Sequence, residues 1–239
     1  MSVASDLNDE IGNSKAIIYY DRLEAIKLNF YIFQKNFNEL KTPIENMKDP
    51  KKAIPMWDVN KRSKLELIQY EVIRRLSNYI FSAKALVDYT RNLIDDWYAN
   101  TDFMVEYNDE IKTRFTGNEL VGFIEDIRNY SAHYSLPITF PSFSITKDNS
   151  QNMQFKHSFI MSKSVLLQWK NWDKGKRYLD NAPEDIEIEI FSYEYFILVD
   201  DFHHWLYKKL SKLHKPDLDW LYEKSEKLRS ILGNVYRGK

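Results

Sequence analysis

The 239-residue chain has no cysteine and only six glycines. Without thiols there can be no disulfide scaffold, thiolate metal site, iron–sulfur cluster or Cys nucleophile. The absence fits a reducing, cytoplasmic setting. An average composition would supply roughly 17 glycines at about 7% usage. Phosphate-cradling turns need glycines grouped in one bend so that backbone can approach the ligand. Gly117 and Gly122 stand five apart with no Lys-Ser/Thr after them, which excludes both the dinucleotide fingerprint and the P-loop. Long apolar runs are also missing. No stretch approaches the 18 or so residues of a membrane span. The polar, acidic residues 1–14 lack the basic and apolar regions of a signal peptide, so no membrane association is expected. An excess of either charge is absent too. A formal net charge of -1 leaves nothing for bulk electrostatic capture of nucleic acid, and any such binding must use a local patch.

What the chain does have is apolar periodicity. It is 44% hydrophobic and 15% aromatic, enough for a real core. Residues 15–40 repeat apolar positions every three or four, from Ile17 through Phe37 to Leu40, and predict a helix ended by Thr42-Pro43. Pro43, Pro50 and Pro55 make 41–61 a surface connection, anchored by Ile54, Met56 and Trp57. Residues 62–98 run without Gly or Pro and predict one helix of roughly 55 Å, the spine of a bundle or a dimer interface. A short helix over 106–114 and another over 119–134 follow, the latter capped by Thr116 or Asn118, with Glu119 placed as in a capping box. Strict alternation over 138–145 and 153–159 around the polar cluster Asp148–Asn152 predicts a β-hairpin inserted at about 138–160, its Pro141 strand at an edge. Short helices are expected from Ser162 or Ser164 to Trp169/Trp172 and around Arg177–Leu179. Pro183-Glu184-Asp185 opens a long helix to Leu213, Pro216 breaks it, and residues 217–232 form the last. The expected organisation is a disordered 1–14 and a single mainly α domain over 15–239. Within it lie an N-terminal helix and connection (15–61), a core (62–215) and a C-terminal helix (216–239).

The chemistry-bearing stretch is Arg128-Asn129-Tyr130-Ser131-Ala132-His133. On a helix Asn129 and His133 lie about 40° apart, and the long Arg128 side chain can bend toward them. A fixed cation, an amide and an imidazole in one small volume suit RNA cleavage without metal. The 2′-hydroxyl is an internal nucleophile that needs a base titrating near pH 7, and the phosphorane's added negative charge is met by a two-donor guanidinium. The structural alternative pairs Arg128 with Glu125 and leaves His133 at a helix C-terminus, where the dipole favours imidazolium.

This stretch resembles the signature of the HEPN superfamily, an Arg followed by a polar residue and, further on, a His. The long helix before it, ending SAKALVDYTRNLIDDWY, and the Trp-rich segment and helix IEIFSYEYFILVDDFHHWL after it are similar to bacterial HEPN-like proteins over roughly 60–210. The resemblance implies a helical bundle, usually a homodimer, whose motif helices face across a two-fold axis and cleave RNA without metal or cofactor. Such proteins act as toxins or anti-phage effectors, with an antitoxin or defence-system partner. Arg128 and His133 would then be catalytic and Asn129 supporting. Some HEPN toxins carry a Tyr two residues after the His that a partner nucleotidyltransferase modifies; Ser135 stands there instead, and Tyr134 adjoins His133. Other family members are non-catalytic, so the alternative function is a helical protein-interaction or regulatory module.

Tyr130, Tyr134, Lys163 and Lys170 are further candidate RNA contacts, the two lysines lying in a basic cluster interleaved with Trp169 and Trp172. A second basic cluster spans Lys208–Lys215. Asp200 and His204 sit at i, i+4, but two ligands do not make a metal site, and no metal is expected. The acidic run Glu184–Glu189 suits a helix N-terminus.

Overall fold

The computed structural model describes residues 3–147 and 153–237; the expected turn at Asp148–Asn152 lies outside them. Among the described residues the protein is mainly helical, with ten α-helices and one small three-stranded antiparallel sheet. The helices are α1 (Val3–Gly12), α2 (Lys15–Asn46), α3 (Pro50–Ala53), α4 (Arg62–Tyr98), α5 (Asp102–Arg114), α6 (Glu119–His133), α7 (Lys163–Leu166), α8 (Lys176–Asn181), α9 (Ile188–Leu213) and α10 (Lys215–Arg237). The strands are β1 (Phe140–Lys147), β2 (Met153–Ser162) and β3 (Asp185–Glu187), in the order β1-β2-β3. None of these helices is long and apolar enough to cross a membrane.

Two compact units divide the chain, one of residues 1–30 and 201–239 and one of residues 31–200. The boundaries between them fall inside α2 and α9.

In the first unit α1 replaces the expected disorder. Leu7 is buried, and Lys224 of α10 donates to Glu10 at 2.6 Å. Tyr19 stacks on His214 with centroids 3.8 Å apart, and Phe30 on His203 at 4.8 Å. Pro216 stands in the first turn of α10, where a missing N–H leaves no helical bond unmade.

In the second unit Phe33, Phe37, Tyr79, Tyr195 and Phe196 form an aromatic core, and the buried Tyr79 hydroxyl donates to the Ser192 carbonyl at 2.8 Å. Here α2 does not stop at Thr42-Pro43 but runs to Asn46 with Pro43 inside it. A proline in a helix leaves the carbonyl four residues back without its N–H partner. That carbonyl belongs to Glu39, and Arg75 Nη1 of α4 donates to it at 2.6 Å. A tertiary contact thus offsets the defect. Arg75→Met is expected to lower unfolding free energy by about 1 kcal/mol in urea titrations, a typical loss for one partly exposed hydrogen bond.

The Pro-rich connection is more ordered than its composition suggests. Asp49 caps α3 with Pro50 at its first position, and 3₁₀ turns follow at Ile54–Trp57 and Val59–Lys61. Buried Met47 and Ala53 anchor it, while Ile54 and Trp57 are exposed. The β-hairpin forms as expected, with Phe143 opposite His157 and Ile145 opposite Phe155, and β1 is an edge strand. The region expected to open the long helix instead supplies β3, which places Ile186 opposite Met161, and α9 starts at Ile188.

Candidate functional site around α6

Helix α6 begins after Gly117, which takes a φ of +76°, and Asn118, whose Oδ1 accepts from the amides of Leu120 and Val121. Asn118 is therefore the cap; Glu119 is the first helical residue, and no Thr116 capping box forms. Phe123, Asp126, Ile127 and Tyr130 bury one face at helical spacing. Phe123 stacks on Tyr178 at 4.5 Å and on Trp172 at 5.9 Å, and Tyr130 meets Trp169 at 5.7 Å and Trp172 at 6.0 Å.

A polar lock holds this face against the segment 173–175. Asp126, only 4% exposed, accepts through Oδ2 from the amides of Asp173 (2.7 Å) and Gly175 (2.8 Å). The approach is so close that a Cβ on Gly122 would lie 2.7 Å from the Lys174 carbonyl carbon, and one on Gly175 would lie 2.7 Å from Phe123 Cα. Sequence reasoning missed these three residues. The available signal was an aspartate inside the apolar stripe Phe123-Asp126-Ile127-Tyr130, where a carboxylate must find donors.

The motif residues occupy the other side and the C-terminal end of α6. Arg128 and Asn129 are half-buried, and His133 is exposed as the last helical residue. Arg128 Nε is buried without a hydrogen-bond partner. Among the described residues Arg128 forms no ion pair, and Glu125 pairs with Lys174 at 3.0 Å. The side chains of Asn129 and His133 likewise make no hydrogen bond there. The helix thus carries a cation, an amide and an imidazole whose side chains make no hydrogen bond among the described residues, whereas its acids are engaged in structure.

The other candidates separate. Tyr130 is 3% exposed, and burial pushes its hydroxyl pKa up; its ring packs inside the aromatic cluster and offers no open face to a base. Tyr134 is exposed. Lys163 Nζ is held by the carbonyls of Asp180 and Ala182, each at 2.9 Å, and Lys170 reaches the Leu167 carbonyl at 3.2 Å. Trp169 and Trp172 are core partners of Tyr130, and Trp172 Nε1 donates to the Leu166 carbonyl. Asp200 accepts from Gln34. Among the described residues no group of three His, Cys, Asp or Glu could hold a metal ion. The acidic run is structural: Glu184 accepts from the Ser164 amide and from the Ser162 and Ser164 hydroxyls, which hold its carboxyl below the usual range, and Glu187 pairs with Lys156. A cleft of about 600 Å³ borders the N-terminal end of α6, away from His133, and within it Lys174 pairs with Glu125 and Arg177 with Glu119.

Two histidines outside the motif are held neutral. Burial pushes His157 down to about 4 and His203 to about 3, from 6.5. In both cases the folded pKa lies below the unfolded one. As pH falls from about 6.5 toward 4, the unfolded chain takes up a proton that the folded chain refuses, so stability is complete above that window and declines through it. Each pH unit inside the window costs up to about 1.4 kcal/mol per ring. His157→Phe is expected to flatten the acid limb of thermal stability between pH 6.5 and 4.5. A constant offset from wild type across that range would rule the assignment out.

Comparison of the chain with protein-family models, curated proteins and solved structures finds no match.

Proposed function

We propose that this chain is a metal-independent endoribonuclease of the HEPN kind, working as a toxin or anti-phage effector with Arg128, Asn129 and His133 as its catalytic group. The observation that carries the proposal is the unoccupied state of that group: Arg128 Nε is buried without a partner while Glu125, its expected structural mate, is taken by Lys174. A buried donor without a partner costs about 1–3 kcal/mol, a cost that a purely structural role for this guanidinium leaves unmet. In the proposed reaction His133 accepts the proton of the RNA 2′-hydroxyl as its oxygen attacks the adjacent phosphorus. Arg128 donates to the oxygens of the phosphorane, and Asn129 orients the imidazole or donates to a phosphate oxygen. The bond to the 5′-oxygen then breaks, that oxygen takes a proton from an imidazolium, and a 2′,3′-cyclic phosphate remains.

In this reading the site is completed in a homodimer, where two copies of α6 supply one imidazole to take the proton and one imidazolium to return it. Exposed Ile190, Tyr193 and Ile197, spaced along one side of α9, support self-association. An antitoxin or defence-system protein would hold the activity in check. Incubation with RNA in EDTA tests the proposal: wild type should yield cyclic-phosphate ends, and an Arg128→Ala/His133→Ala variant should not. Equal degradation by both would overturn it. A strictly monomeric solution mass with full activity would remove the dimer.

A further inference from the structure

Residues 48–64 concentrate charge that the chain as a whole lacks. They carry six cations (Lys48, Lys51, Lys52, Lys61, Arg62, Lys64) against two carboxylates (Asp49, Asp58), a net +4 in a chain of formal charge -1. Lys48 pairs with Glu189, and Arg62 reaches Glu66 at 3.5 Å. Lys52 bonds the Asn46 side-chain oxygen, while Lys51, Lys61 and Lys64 form no ion pair among the described residues. In the middle of this segment stands Trp57, 41% exposed, its ring braced by Phe143 at 5.6 Å and by His157 at 6.0 Å. Trp57 also lines a cleft of about 440 Å³ together with Met56, Val59, Leu65, Gln69 and Pro141, and with Asp58, Arg62 and Glu66 at its polar positions.

An indole wall beside an open cleft, flanked in sequence by lysines free of ion pairs, is what a single strand of nucleic acid requires. A base stacks on the aromatic ring while the phosphates follow the cations. The polar positions sort the two parts of such a ligand. Asp58 and Glu66 disfavour phosphate inside the cleft, which leaves the backbone to the lysines and the cleft to the base. Gln69 holds its Nε2 on the Thr139 carbonyl at 2.6 Å, so its own carbonyl oxygen can accept from an exocyclic amine. A duplex keeps its bases stacked inside and cannot use this wall. An acidic peptide would set its carboxylates against Asp58 and Glu66.

We propose that Trp57 and the lysines of residues 48–64 form a single-stranded RNA-binding surface separate from the α6 motif. It rests on the ribonuclease proposal only for the choice of RNA. The test uses the full chain carrying Arg128→Ala and His133→Ala, so that the probe stays intact, and the anisotropy of a fluorescein-labelled oligoadenylate. Trp57→Ala should weaken binding by about fivefold or more, the low end of a lost base–aromatic stack, and Trp57→Phe should restore most of it. None of Lys51, Lys61 and Lys64 is buried, so Lys51→Glu/Lys61→Glu/Lys64→Glu tests the surface even if Trp57→Ala loosens the hairpin. It should weaken binding and reduce the salt slope by about two, at roughly 0.7 per phosphate contact on a single strand. Wild-type affinity in both the Trp57→Ala and the triple Glu variants would overturn the proposal, as would equal binding of a duplex. So would lysine-dependent binding to phosphatidylcholine–phosphatidylserine vesicles without binding to RNA. If unmodified protein cleaves no RNA while Trp57-dependent binding stands, the ribonuclease proposal falls and this one survives; the reverse pattern removes the surface alone.

Discussion

Replacing His133 with Ala is expected to slow RNA cleavage in EDTA by about 10²- to 10⁴-fold, the usual contribution of one positioned acid–base group. His133 is exposed at the end of α6 and makes no hydrogen bond among the described residues, so the substitution should leave the melting temperature nearly unchanged. Loss of rate without loss of fold is what separates a chemical role from a structural one. Arg128→Ala should cost about 10²- to 10³-fold, as removal of one charge-stabilising donor usually does. Its stem is half-buried, so part of the loss could come from packing. Arg128→Lys controls for this, because it keeps the charge and the stem but loses the two-donor geometry. That variant should fold like wild type and still cleave slowly. The double Ala variant should be little slower than the worse single one, since groups acting on one transition state are not additive. Wild-type rates in His133→Ala would end the catalytic assignment.

The second large effect concerns stability. Asp126→Ala is expected to lower the unfolding free energy by about 3 kcal/mol, because it strips a charged acceptor from two amides in a closely packed place. Asp126→Asn keeps an acceptor oxygen but loses the charge, and should fall between the two. Gly122→Ala should be of comparable severity. Its Cβ would stand 2.7 Å from both the carbonyl carbon and oxygen of Lys174, and neither is the flexible end of a side chain that could move aside. The two changes act on the same segment, so their effects should not sum. Urea titration checks this, with an unchanged slope showing that the native state and not the unfolded chain was altered. Changes within about 0.5 kcal/mol of wild type would show that segment 173–175 is not locked to α6. The lock also holds the neighbouring Trp172 against Phe123 and Tyr130, so weaker RNA cleavage in Asp126→Asn, at unchanged secondary structure, would mark Asp126 as a positioning residue for the motif helix.

Local pattern carried much of this fold. The stripe of 62–98, free of Gly and Pro, gave α4 its full length, because a regular apolar spacing over 37 residues admits one regular structure. Alternation around 138–160 gave the hairpin and, through Pro141, its edge position. Misreadings arose where a distant residue overrides local preference. Pro43 looks like a stop, but Arg75, remote in sequence, supplies the donor that its ring removes. Pro183-Glu184-Asp185 looks like a helix start, but the edge of β2 offers unpaired backbone groups, and Asp185–Glu187 pairs with it as β3. Residues 3–12 look too polar to fold, yet Leu7 is buried and Glu10 pairs with Lys224 of α10.

The sequence by itself determined the residue types available for chemistry. With no thiol and no grouped glycines, Arg, His, Asn and Lys remained, and the helical period placed Asn129 and His133 on one side of α6. Only the tertiary structure decided which polar groups are engaged. It gave Glu125 to Lys174 and left Arg128 Nε unmatched. It packed Tyr130 against Trp169 and Trp172, and it brought Trp57 to a cleft in a segment rich in lysine. The physical reason is range: periodicity reports on neighbours three or four residues away, whereas the partner of a charge or a ring is set by packing between segments dozens of residues apart.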